Sequence, residues 1–154
     1  MPQEIERKYL LKEDSWRESA SGTIYCQGYI ATKDQTTVRV RIVGKQGYLT
    51  IKGPSVECSR LEFEYLIPVE DAEEMLNTLC QRPFITKTRY KIKWGDLIWE
   101  IDEFHGLNEG LIIAEVELTD PEQQIELPPW IGEEVSHDHR YFNSYLVKHP
   151  FSEW

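Results

Sequence analysis

The sequence predicts a mainly β (α+β) fold: an eight-stranded antiparallel closed barrel, a tunnel with a charged interior, flanked by a few helices. Three observations lead there. Period-two alternation of apolar and charged residues dominates the 154-residue chain, and on a strand that alternation sorts side chains onto two faces. Turn residues cut the alternation into pieces of ordinary strand length. Finally, the polar faces carry almost only full charges, whereas a face that merely meets water mixes Thr, Ser and Gln with Lys.

The first strand is expected at 3–11, where Glu4, Glu6 and Lys8 share a face, followed by a short helix at 14–20 and a second strand at 23–31. The third, at 37–43, sets Arg39 and Arg41 against Val38, Val40 and Ile42. A fourth at 48–52 places Lys52 opposite Leu49 and Ile51, and a fifth at 59–67 places Arg60, Glu62 and Glu64 opposite Leu61, Phe63 and Tyr65. After Pro68 the period changes: Val69, Ala72, Met75, Leu76 and Leu79 recur at helical steps, and Asp71, Glu73 and Glu74 crowd the early turns as the helix dipole favours. Pro83 ends that helix. The sixth strand, at 86–94, lines up Lys87 and Arg89 with Lys91 and Lys93, and Trp94-Gly95-Asp96-Leu97 reads as a tight hairpin with Gly at positive φ. Asp102 shares a face of the seventh strand, at 97–104, with Ile98 and Glu100; Glu115 and Glu117 oppose Ala114, Val116 and Leu118 in the eighth, at 111–118. A last helix fits 140–147, with Asp138 as a candidate N-cap.

The length suits one domain, 1–154, with no linker or internal repeat. A net charge of −10 disfavours nucleic acid and anionic membranes as partners. No apolar run is long enough to span a bilayer, and the opening residues do not resemble a signal peptide, so a cytoplasmic protein is expected. Cys26, Cys58 and Cys80 lack metal-ribbon spacing and read as buried free thiols. Whether the protein is a monomer or a homodimer is left open by the sequence.

Like charges two residues apart on one strand face repel unless something bridges them. Seven strands with such faces suggest one shared cavity, and about eight strands close into a barrel that holds one small ligand. The apolar faces would then point outward, under the helices and the Trp and Tyr residues. Lys8, Arg39, Arg41, Lys52, Lys87 and Arg89 suit a compact polyanion. Glu4, Glu6, Glu62, Glu64, Asp102, Glu115 and Glu117 suit hard divalent cations. Both sets in one cavity point to a metal-bridged phosphate chain.

The ordered set Glu4-x-Glu6-x-Lys8, Arg39-x-Arg41, Thr50-Ile51-Lys52-Gly53, Arg60-x-Glu62-x-Glu64, Lys87-x-Arg89, Asp102 and Ala114-Glu115-Val116-Glu117-Leu118 resembles the CYTH domain, or triphosphate tunnel metalloenzyme, superfamily, and most closely its short bacterial members. The resemblance implies a divalent-metal-dependent hydrolase, with Mg²⁺ or Mn²⁺ at two sites, acting on a small-molecule triphosphate. Tripolyphosphate is the expected substrate. ATP, in a nucleoside triphosphatase or adenylate cyclase, and thiamine triphosphate are alternatives within the family; a non-catalytic polyphosphate-binding module is the alternative outside catalysis. Phosphates would meet Lys8, Arg39, Arg41, Lys52, Arg60, Lys87 and Arg89. Glu4, Glu6, Glu115 and Glu117 would lie near a first metal ion, and Glu62, Glu64 and Asp102 near a second or holding basic residues in place. Lys8, Glu4 and Arg39 are the residues on which catalysis is expected to depend.

Other features read as structural. His137-Asp138-His139 has chelating spacing but fits a turn with a helix cap, and His105 and His149 fit solvated surface. Gly44, Lys45 and Gly47 fit a hairpin better than a phosphate loop. The five Trp residues fit an outer core, with Trp16 or Trp130 as candidates for contact at a tunnel mouth and Tyr29 and Tyr145 as minor contributors.

Overall fold

The computed structural model describes residues 3–154. Its strands are β1 (Gln3–Leu11), β2 (Gly22–Ile30), β3 (Thr37–Val43), β4 (Gln46–Lys52), β5 (Ser59–Ile67), β6 (Ile85–Trp94), β7 (Leu97–Phe104), β8 (Ile112–Glu117) and β9 (Ile131–Glu134), with helices α1 (Val69–Thr78) and α2 (Asn143–Lys148). All neighbours are antiparallel, in the order β5-β4-β3-β2-β6-β7-β8-β1-β9, and the sheet closes because β1 also pairs with β5. The result is the expected eight-stranded barrel, with β9 outside it. The closure is short: Gln3, Glu4 and Ile5 meet Leu61, Arg60 and Ser59. Farther along β1, Tyr9 and Leu11 pair with Glu134 and Ile131 of β9.

The strand β9 was not expected, because four residues are too few to display a period. Gly132 lets the two strands approach closely there, since a Cβ would sit 3.1 Å from the Leu10 carbonyl oxygen. The hairpin at Gly95 has the expected positive φ, 62°. The C-terminal helix differs from expectation. A 3-10 turn at His139–Tyr141, capped by Asp138 accepting from the Arg140 amide at 3.1 Å, is separated from α2 by Phe142 at φ −79°, ψ 135°. That extended residue turns its ring beneath the Lys8 ammonium, 5.5 Å from the ring centre.

Apolar residues pack outside the barrel, as a charged interior requires. Trp16, on a 3-10 turn at Ser15–Ser19, joins Tyr9, Trp99, Ile101, Val116 and Trp130 over β1, β7 and β8. Ala72 and Leu76 of α1 cover Val40. Buried area of this kind stabilises by roughly 25 cal/mol per Å². The outer face of β5 is different, with Leu61, Phe63 and Tyr65 left exposed.

One end of the barrel is stoppered. Tyr29, Ile85, Phe104 and Ile113 have the same strand parity as the charged interior residues, and they pack with Leu111 against Leu146 and Val147 of α2. The other end is open, with Ile98 of the same parity 57% exposed.

Candidate active site

The interior of the barrel is a cavity of about 330 Å³, within the range of small-ligand sites. Its walls follow from register. Lys8 faces Glu115 and Glu6 faces Glu117 across β1 and β8, Lys52 faces Glu62 across β4 and β5, and Arg89 faces Asp102 across β6 and β7. Every nominated site residue lines the cavity except Asp102, which lies behind the lining at 1% exposure.

Asp102 organises two cations. It accepts from Arg89 Nε at 2.7 Å and Nη2 at 2.8 Å, and from Lys87 Nζ at 2.8 Å. Burial favours its neutral form, but Arg89 and Lys87 outweigh that and bring its carboxyl down to about 2. Burial also acts on Lys87, which with repulsion from Arg89 and Arg41 pushes its ammonium down to about 7 despite Asp102. Lys8 is held differently. Burial opposes its charge, yet Glu115 at 2.6 Å, Glu6 at 3.5 Å and Glu4 keep its pKa above the ordinary lysine value.

Three of the cavity's cations are under-compensated. Burial, then repulsion from Arg39 and Arg89, lowers Arg41 to about 10, and among the described residues no carboxylate pairs with it. Arg39 Nε is buried without a hydrogen-bond partner, and its Nη2 reaches Glu64 only at 3.8 Å. Arg60 donates to the Gly53 carbonyl at 3.0 Å and to Thr37 at 3.4 Å, with no carboxylate partner among the described residues. Unpaired buried donors of this kind are costly unless an anion takes them.

The carboxylates gather toward the open end. Burial raises the pKa of Glu117, and repulsion from Glu62, Glu6 and Glu100 raises it further. A divalent cation would relieve that repulsion, so these oxygens fit a hard metal ion. Other carboxylates are held by ammonium groups: Lys52 donates to Glu4 Oε1 at 3.0 Å, with Oε2 at 2.8 Å in ion-pair contact but poorly directed for a hydrogen bond, and Glu62 lies 3.4 Å from Lys52. Among the described residues no three carboxylates already converge at metal-ligand separation.

Sequence reasoning passed over several residues that line the cavity. Lys91 and Glu100 were placed on charged faces but not nominated, although parity with Arg89 and Asp102 puts them there; they lie 3.8 Å apart. Tyr25 on β2 has the cavity's parity and sits beneath Arg41 and Arg89, 4.9 and 5.0 Å from its ring centre. Phe142 and Asn143 had no local signal. Trp16 and Trp130 are buried in the outer core and not at a mouth, while Tyr29 lines the cavity and Tyr145 a neighbouring pocket. The three cysteines are free and half-buried.

A closed antiparallel barrel whose inner wall carries arginines, lysines and carboxylates together defines a class: barrels with an interior suited to a polyanion and its cations. The CYTH domain family model matches residues 2–145, and the chain belongs to that family. A curated inorganic triphosphatase of Acetivibrio thermocellus is 49% identical over 154 residues, covering 100% of this chain and 99% of that protein. An inorganic triphosphatase of Nitrosomonas europaea is 37% identical over 148 residues, covering 94% of this chain and 96% of that one. A crystal structure described as an inorganic triphosphatase superposes with a TM-score of 0.64 at 33% identity, covering 93% and 96% of the two chains. Membership of a family of metalloenzymes implies a divalent metal ion. No helix of the described residues is long and apolar enough to cross a membrane.

Proposed function

We propose that this chain is a divalent-metal-dependent triphosphatase that hydrolyses inorganic tripolyphosphate to pyrophosphate and orthophosphate. The observation that carries the reading is that one cavity holds both the under-compensated Arg39, Arg41 and Arg60 and the mutually repelling Glu6, Glu62, Glu100 and Glu117. The names of the two curated relatives support the same substrate.

Bound Mg²⁺ or Mn²⁺, at two positions, would neutralise phosphate charge and lower the pKa of water. The protein's own groups do the rest. Arg39, Arg41, Arg60, Lys87 and Arg89 bind and align the phosphates, guanidinium forks matching phosphate oxygens. Lys8 and Lys52 face phosphate and meet the charge that builds on the leaving pyrophosphate as the P–O bond breaks. Glu4, Glu6, Glu62, Glu64, Glu115 and Glu117 hold metal or fix those lysines. Asp102 holds Lys87 and Arg89 in place from behind the lining. Phosphoryl transfer needs mainly such positioning and charge stabilisation.

We place the protein in the cytoplasm, where three unpaired thiols fit a reducing environment. The test is a substrate panel: tripolyphosphate, ATP and thiamine triphosphate, each with Mg²⁺ or Mn²⁺, with products resolved. Pyrophosphate plus orthophosphate from tripolyphosphate at the highest kcat/KM is expected. Cyclic AMP, or faster turnover of an organic triphosphate, would overturn the reading.

A further inference from the structure

β2 is the one barrel strand without a charged residue, its sequence being Gly-Thr-Ile-Tyr-Cys-Gln-Gly-Tyr-Ile. It stands between β3, which carries Arg39 and Arg41, and β6, which carries Lys87 and Arg89. Gln27, at 0% exposure, occupies the centre of this uncharged stave. Its Oε1 accepts from Arg41 Nε at 3.1 Å, and its Nε2 donates to Asn143 Oδ1 at 3.1 Å and to the Tyr29 hydroxyl at 3.3 Å. Asn143 Oδ1 also accepts from Lys87 Nζ at 3.0 Å.

The chemistry fixes both amide orientations. Arginine only donates and an ammonium only donates, so each amide must turn oxygen toward its cation. The chain Arg41–Gln27–Asn143–Lys87 is therefore a neutral link between two buried cations, and it ties the first residue of α2 to the phosphate-binding wall. An acid at position 27 would satisfy Arg41 more strongly than an amide does. In a barrel crowded with acids, an amide here leaves the charge of Arg41 available to a ligand.

We propose that Gln27 is a positioning residue which, held by Asn143, orients Arg41 toward bound phosphate while leaving the charge of Arg41 uncancelled. The proposal rests on the triphosphatase reading. Its test compares Gln27→Glu and Gln27→Leu with the wild type in steady-state tripolyphosphate hydrolysis, in calorimetric binding of Mg²⁺–pyrophosphate, and in thermal melting. For Gln27→Glu, KM and the pyrophosphate Kd should rise by about tenfold or more, the scale of one well-aimed hydrogen bond to a charged group. Its kcat should stay within about threefold, and its melting temperature should fall less than that of Gln27→Leu, because Arg41 gains a counter-ion while Asn143 Oδ1 loses the donor at Gln27 Nε2. Gln27→Leu should weaken binding and also melt lower. A purely structural Gln27 would instead give a Gln27→Glu variant that binds pyrophosphate as before whatever its melting temperature, which would overturn the proposal. Wild-type protein that neither binds pyrophosphate nor hydrolyses tripolyphosphate would overturn the triphosphatase reading, and the proposal with it.

Discussion

At the stoppered end of the barrel, Asp102 is 1% exposed and both its oxygens are taken by Arg89 and Lys87. Toward the open end, Glu117 is exposed and has Glu6, Glu62 and Glu100 as unfavourable neighbours. The same residue chemistry, carboxylate on a barrel wall, thus takes two roles depending on depth. Buried deep, a carboxylate must spend its charge on the protein's own cations, because an unpaired buried ion is too costly. Near the mouth, water and metal ions are available, and repulsion between carboxylates can be kept in store for a ligand.

Asp102→Asn should show the largest effect. Removing the buried counter-ion that Lys87 and Arg89 share costs about 3–5 kcal/mol, read by urea unfolding at neutral pH; a loss under about 1 kcal/mol would contradict the charge-locked deep end. The pH dependence has a definite sign. The carboxyl lies at about 2 in the folded protein against an ordinary 3.8, so its contribution is complete above 3.8 and fades as pH falls through about 2. The gap between wild type and Asp102→Asn should close over that window.

Lys8→Ala and Arg39→Ala come next, between the two ends. Each should lower tripolyphosphate hydrolysis by about 100-fold or more, the scale of losing one aligned charge-stabilising donor. Circular dichroism should remain unchanged, and undiminished turnover in both variants would defeat the substrate placement.

Glu117→Gln probes the open end with a smaller and opposite effect on stability. Since the folded protein holds the Glu117 carboxyl above its ordinary value, its ionised form is the disfavoured one. Removing the charge should raise metal-free melting at neutral pH, with the benefit disappearing in acid where wild-type Glu117 is protonated. Mn²⁺ affinity, followed by titration, should weaken by about tenfold. A variant that melts lower without metal would remove the idea of stored repulsion. Smallest of all, Ile98→Thr at the open rim should change stability by no more than about 0.5 kcal/mol, whereas Ile113→Thr in the stopper should cost several times that.

Much of this contrast was legible in the sequence because a strand's period of two is strict. Once Glu115 and Lys8 are on inward faces, their neighbours two residues away are too, and that rule alone would have found Lys91 and Glu100. Depth along the barrel was not legible. Parity sets a side chain inside, but shear and closure decide whether it meets water, which is why the sequence left Asp102 between a second metal ion and a role holding basic residues in place. Nor could local pattern show that Phe142 breaks a helix to put a ring under Lys8, or that Gln27 meets Asn143 across 116 residues of chain. Those contacts exist only once the barrel has a stopper.

The ion pair between Lys8 and Glu115 bridges 107 positions of sequence, joining the first barrel strand to the eighth. During synthesis at roughly 5–20 residues per second, β1 therefore waits about 5–20 seconds for its partner to emerge. The wall stays open until that pairing forms, and a nascent chain short of β8 holds loose charges but no enclosure in which to trap metal or phosphate prematurely.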